Sequence, residues 1–391
     1  MKIRTRNFGI ALILCLSCGL LTFPVHAQYP KVRSVHHASG AITYNAQMLN
    51  VSGTAVIDGF GNKVVLVGTQ IDYNGRKDGW FSIDDLDKMK SLGGTILEIH
   101  GLRFKNMMLE RGIIDEVWFV NNLDKWVSWC EQMQIYYIIN MRNFKWSSSR
   151  GCMMPDWFLE GRYDPPYDET TCDKACIDLL DVDNPLQEDN RQDFIDLWEF
   201  IANRYKNNKY ALFGIMNEPL CRVQLNDSSL AKHLGVTYSR FMEGVVDAIR
   251  STGAKQLIFV DRPYVWYLSN VQPVKRSNIV WEDHLYVQTK YEPKNVNSWK
   301  TAMDNKIQRF VRDFGKPLYM GEYGSYPFSA YDDGLSDWQA VLAQQVAHLN
   351  SSEIAGYSWH AWSFLEGEYY DHIYDCFNKE ESDYILQTIF R

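Results

Sequence analysis

Eight short apolar runs, separated by stretches of helical periodicity, constrain this chain more than any other feature. The runs are Val64–Gln70, Thr95–His100, Ile135–Asn140, Ala211–Met216, Gln256–Asp261, Asn278–His284, Pro317–Glu322 and Ala355–Trp362. They are dense in β-branched and aromatic residues, as strands buried on both faces of a parallel sheet are. Between them lie helices with readable faces. Ser82 is placed as an N-cap with Asp85 three residues on, Ile83, Leu86 and Met89 share one face, and Gly93 stops the helix. Phe194, Leu197, Trp198 and Ile201 recur at i, i+3, i+4 and i+7, the spacing of a buried helical stripe. Further helical patterns fall near 115–133, 229–251, 295–313 and 334–349. Strand–helix alternation of this kind predicts an α/β fold, a (β/α)8 TIM barrel. A doubly wound sheet is the alternative, but no Gly-rich phosphate turn follows the first run.

The remaining segments have their own signatures. Residues 1–27 read as a secretory signal peptide: Lys2, Arg4 and Arg6 open it, Phe8 to Phe23 is apolar, and Pro24 precedes Val25-His26-Ala27. The apolar run is shorter than the roughly 20 residues that a membrane span needs. Residues 28–53 read as a polar leader and 54–391 as the catalytic domain. Thr54 to Val67 predicts a β-hairpin turning at Gly59 and Gly61-Asn62. From Met141 to about Leu186 the chain shows little periodicity, and is read as a long loop after the third strand, forming a wall of the active-site cleft. Six cysteines remain after signal removal, an even number that in an exported protein suggests disulfides. A bridge from Cys152 to Cys172 or Cys176 is expected; zinc on the Cys172/Cys176 pair is the rival, without a nearby histidine to complete the set.

Charge and aromatic content narrow the function. Acidic residues number 48 against 40 basic, a net charge of −8, which argues against a nucleic-acid partner. Aromatic residues make up 14% of the chain. Trp and Tyr carry polar atoms that need partners, so a core alone does not call for so many, whereas sugar-binding clefts do.

Several polar residues stand where an apolar run ends. The fourth run is followed by Asn217-Glu218-Pro219 and the seventh by Glu322-Tyr323-Gly324; the sixth supplies His284 and Tyr286, and the eighth ends at Trp359-His360-Ala361-Trp362. In a barrel these positions converge at the C-terminal rim, where active sites sit. Two opposed carboxylates, one giving a proton to the leaving oxygen and one attacking or activating water, are what glycoside hydrolysis needs.

The stretch RYKNNKYALFGIMNEP, followed in order by DHLY, LYMGEYG and GYSWHAWSF, resembles glycoside hydrolase family 5, the cellulase and mannanase family, over roughly residues 55–370. The resemblance implies that Glu218 is the general acid/base and Glu322 the nucleophile. It implies that Asn217 hydrogen-bonds the sugar 2-hydroxyl, that Tyr286 of the His284-x-Tyr286 pair contacts the nucleophile, and that Trp362 is a stacking platform for the −1 sugar. Two family positions differ. The arginine usually found at the end of the second strand is missing, with Glu98 and His100 there instead, and the third strand ends with Asn140 and Arg142 in place of Asp-x-His. The expectation is that Arg142 supplies the positive charge beside the nucleophile and that His100 replaces the missing histidine; a structural Glu98–Arg142 ion pair is the alternative. Trp146, Trp80 and Trp266 are read as subsite rings or, equally, as core.

Together these readings predict a secreted, retaining endo-β-1,4-glycanase acting as a monomer on a β-linked polysaccharide, a cellulase first and a β-mannanase second. No cofactor, no metal and no membrane partner are expected. A non-catalytic carbohydrate-binding barrel is the alternative of another class.

Overall fold

The computed structural model describes residues 48–72, 82–142, 156–164, 169–219, 228–263, 271–287, 293–325, 337–360, 363–365, 368–370 and 379–390. They belong to a compact unit spanning 46–391. Residues 1–27 lie outside the described residues, as do Trp80, Trp146, Cys152, Trp266 and Trp362.

Eight parallel strands close into a barrel: β1 (Leu66–Asp72), β2 (Ile96–Leu102), β3 (Tyr136–Met141), β4 (Ala211–Gly214), β5 (Ile258–Asp261), β6 (Ile279–Val287), β7 (Leu318–Ser325) and β8 (Gly356–Trp359). Each strand pairs with its sequence neighbours and β8 closes on β1, with Gly356 opposite Leu66. All eight expected strands are present, displaced by a few residues at their ends. The (β/α)8 reading therefore holds, and the doubly wound alternative does not.

The helices follow from the patterns that announced them. α1 (Ile83–Ser91) starts at Ser82, whose backbone N–H donates to Asp85 Oδ2 at 2.7 Å. α2 (Glu188–Tyr205) buries Phe194, Leu197, Trp198 and Ile201 against the sheet. The pattern at 115–133 is two helices, Glu116–Asn121 and Leu123–Met133, divided at Asn122.

Three expectations change. The leader ends before residue 53: Leu49 is buried, Asn50–Ser52 pairs antiparallel with Ala55–Ile57, and Asn278 Oδ1 accepts from the Val51 N–H at 3.0 Å. The expected turn over residues 58–62 is present, with the Val64 N–H bonded to Val56 O at 2.9 Å and Ile57 paired antiparallel with Lys63, and a second turn at Gly53-Thr54 adds Asn50–Ser52 on the other side of Ala55–Ile57. Leu66 onward belongs to the barrel, where its N–H bonds Ala355 O at 2.9 Å. The segment after β3 contains a helix, Glu169–Leu180, whose buried Cys172, Ala175, Cys176, Leu179 and Leu180 repeat at helical spacing. Cys176 is buried and takes part in no disulfide, which leaves Cys172 of the two partners expected for Cys152.

A close approach and a register slip shape the barrel wall beside the site. A Cβ at Gly321 would lie 2.0 Å from Glu282 Oε1, so β7 needs glycine there for the Glu282 carboxyl to fit. Opposite it, the β6–β7 register slips between Asp283 and His284, bringing His284 level with Glu322. Irregularities of this kind re-aim side chains beside active sites.

Candidate active site

Glu218, Asn217, His284, Tyr286, Glu322 and His100 come together at the C-terminal ends of the strands. Glu322 on β7 is buried, whereas the Glu218 side chain remains 18% exposed. His284 lies between them: its Nδ1 is 2.9 Å from Glu218 Oε1 and 3.5 Å from Glu322 Oε2. Tyr286 donates its hydroxyl hydrogen to Glu322 Oε2. Asn217 is held by its N–H to Met141 O at 2.7 Å, and its buried side-chain oxygen has no partner among the described residues. That oxygen is free for a ligand.

The charge beside Glu322 comes from histidines. His360 Nδ1 lies 3.4 Å from Glu322 Oε2 and His100 Nε2 lies 4.0 Å from Glu322 Oε1. The Tyr286 hydroxyl also sits 2.8 Å from His360 Nδ1. Burial pushes the Glu322 carboxyl up, but His284, His360 and His100 outweigh it and hold the group well below its ordinary 4.5. Arg142, placed here from sequence, is buried after β3 and is not among the groups that act most on Glu322. A guanidinium entering from the third strand is thus replaced by imidazoles from β2, β6 and the end of β8. Glu98 does not need Arg142 either: its carboxyl accepts from Gln70 Nε2 at 3.0 Å and Asn140 Nδ2 at 2.6 Å.

Beneath the site lies a layer of buried acids, in which Glu98 is joined by two that sequence reasoning did not place, Asp261 and Glu282. Glu98, Asp261 and Glu282 are each almost fully buried. His284 Nε2 lies 3.6 Å from both Asp261 Oδ2 and Glu282 Oε1. Burial is the main influence on all three carboxyls and raises each; Glu282 raises Glu98 and Asp261 further, and His284 opposes. Burial lowers His284, but Glu322 and Asp261, with hydrogen bonds to Glu218 and Glu282, reverse that and raise it well above 6.5. Asp283 points the other way. It is buried, but Arg262 at 2.9 Å and Lys306 at 2.6 Å bring it down to about 2. The missed residues had a signal: a carboxylate or histidine at or near the end of an apolar strand, as in Asp261 and His360. Which of Glu282 and Asp283 faces inward was not legible.

These shifts predict how stability varies with pH. Glu98, Asp261 and Glu282 keep protons in the fold that the unfolded chain releases above 3.8 to 4.5, so stability falls as pH rises from there. His284 adds stability that is fully present below 6.5 and is lost as pH rises through its raised native value. Glu322 and Asp283 act oppositely, losing stability as pH falls below 4.5 and 3.8. The melting temperature should therefore peak near about pH 4 to 4.5, where the two sets of groups cross, and drop by several degrees towards pH 9. Calorimetry at constant ionic strength checks this; a melting temperature that climbs from pH 6 to 9 would refute it.

Comparison with known proteins agrees with this architecture. The model of the family described as Cellulase (glycosyl hydrolase family 5) matches residues 103–365. Endoglucanase Z of Dickeya dadantii (strain 3937) is 30% identical over 133 residues, which is 33% of this chain and 28% of that protein's length. Among solved structures, an endogalactoceramidase superposes with a TM-score of 0.65 at 16% identity, covering 88% of this chain and 85% of its own. A GH5-4 broad specificity endoglucanase from an uncultured bacterium superposes with a TM-score of 0.62 at 17% identity, covering 83% and 94%. At such identities the structural likeness speaks for the fold alone, but the family match extends over about two thirds of the chain and across the strands that carry both glutamates. The chain belongs to glycoside hydrolase family 5, the cellulase family.

Proposed function

We propose that the protein is a secreted, retaining endo-β-1,4-glycanase of cellulase type, with Glu322 as nucleophile and Glu218 as acid/base. One observation carries the reading: the facing oxygens of Glu218 and Glu322, with His284 Nδ1, all lie within 4.8 Å of one another. That is close to the roughly 5–5.5 Å of enzymes that form a covalent glycosyl intermediate, and too short to seat a water as inverting enzymes do. Glu322 attacks the anomeric carbon as the bond to the leaving oxygen breaks, and Glu218 gives that oxygen its proton. Glu218 then takes a proton from water, whose oxygen attacks the same carbon and frees Glu322. Ionised Glu322 suits the first step, and the more exposed Glu218 suits exchange with leaving group and water.

Substrate choice is tested by hydrolysis of carboxymethylcellulose, galactomannan, lichenan and xyloglucan. A galactosylceramide dispersion is added because of the likeness to endogalactoceramidase. We expect the β-1,4-glucans to be cleaved fastest, with internal cuts lowering viscosity ahead of reducing-end release. Faster galactomannan cleavage would make the enzyme a mannanase. Sugar binding without any cleavage over days would reduce it to a binding barrel. Secretion rests on the basic and apolar pattern of residues 1–27, and the exported protein should begin at Gln28 in N-terminal sequencing.

A further inference from the structure

Glu218 has a backbone that only a specific contact explains. Its φ is +41°, in the left-handed region that a residue with a Cβ enters at a cost of about 1–2 kcal/mol. Such a conformation persists only where surrounding structure holds it. Here the holding group is Asp261, the last residue of β5, whose Oδ2 accepts the Glu218 N–H at 2.6 Å.

Asp261 is itself immobilised. Its side chain is buried, and its carbonyl accepts the Tyr238 hydroxyl hydrogen at 2.5 Å. The next residue bonds across to β6, Arg262 N–H to Glu282 O at 2.9 Å. The same Oδ2 that receives the Glu218 N–H lies 3.6 Å from His284 Nε2, while His284 Nδ1 reaches the Glu218 carboxyl at 2.9 Å. One oxygen of the Asp261 carboxyl thus addresses Glu218 from both ends: directly at its main chain, and through the imidazole at its carboxyl group.

We infer that Asp261 is a positioning residue for acid/base catalysis, acting as the hydrogen-bond acceptor that fixes the Glu218 main chain and so aims its carboxyl at the glycosidic oxygen. The inference rests on the reading of Glu218 as the acid/base. A misplaced acid hurts most where the leaving group needs a proton and little where it does not, which is a signature that general loss of structure does not give.

The test is a leaving-group series of aryl β-cellobiosides, comparing wild type, Asp261→Ala, Asp261→Asn and Glu218→Ala. For Asp261→Ala, kcat/KM should fall about 100-fold with phenyl β-cellobioside but less than about threefold with the 2,4-dinitrophenyl compound. Asp261→Asn, which keeps volume and an acceptor oxygen, should recover most of that loss. Equal losses on both substrates, or none on either, would overturn the inference. So would an Asn variant with a steep series, which also decides the matter if the Ala variant does not fold. Glu218→Ala separates the two claims. If it shows the steep series and Asp261→Ala does not, only the role of Asp261 fails; if Glu218→Ala itself is flat, the acid/base assignment fails.

Discussion

Glu322→Gly is expected to lower kcat for an aryl β-cellobioside by about 10⁵-fold, the scale on which covalent enzymes lose activity with their nucleophile. The reason is specific to the site. Glu322 is the carboxyl that three histidines keep ionised, with the Tyr286 hydroxyl directing a hydrogen at the same oxygen. Among the described residues no other carboxyl combines that electrostatic setting with a place at the strand ends, since Glu98, Glu282 and Asp261 are all raised by burial. The glycine variant leaves a hole where the carboxyl was. Added azide or formate should fill it and restore turnover with an activated substrate, giving a product of inverted anomeric configuration. Near-normal turnover without an added anion would remove Glu322 from the nucleophile's role. Rescue with retained configuration would mean that another group on the protein attacks the sugar.

The barrel and both glutamates were legible because each rests on a local pattern. Runs such as ALFGIM and LIFVD say strand by composition alone, and a polar residue just after an apolar run marks a rim position in a barrel. What surrounds the glutamates was less legible, because it depends on which strands meet. Arg142 was a sound candidate for charge by residue type, but residue type does not say which strand end approaches β7. That role fell to His360, which stands two residues before the tryptophan that drew attention instead. Glu282 and Asp283 are adjacent, and their opposite fates follow from pleat: one sits over Gly321 inside the wall, the other between Arg262 and Lys306 outside it. The apolar stripe in Glu169–Leu180 was readable but was masked by its setting among Asp, Pro and Tyr residues.

His284→Gln should produce the second large effect, and it tests the electrostatics rather than the chemistry of attack. Glutamine keeps a donor towards Glu218 and removes the positive charge between Glu218, Glu322, Asp261 and Glu282. Burial pushes Glu322 up, and among the influences that bring it down His284 is the largest. Without that charge the nucleophile stays protonated to higher pH, so the acidic limb of the kcat/KM profile should move upward. At pH 6, kcat/KM should fall by about 10²–10³, partly because less enzyme carries ionised Glu322 and partly because Glu218 loses its imidazole partner. His360→Gln removes a second lowering influence, made of its charge and its hydrogen bond, and should move the same limb in the same direction. The movement of the limb is the decisive point: a shared active-site distortion would lower both rates without moving either limb, whereas loss of charge must move it upward in both variants. An acidic limb that stays in place in His284→Gln would show that the nucleophile is kept ionised by something other than this cluster.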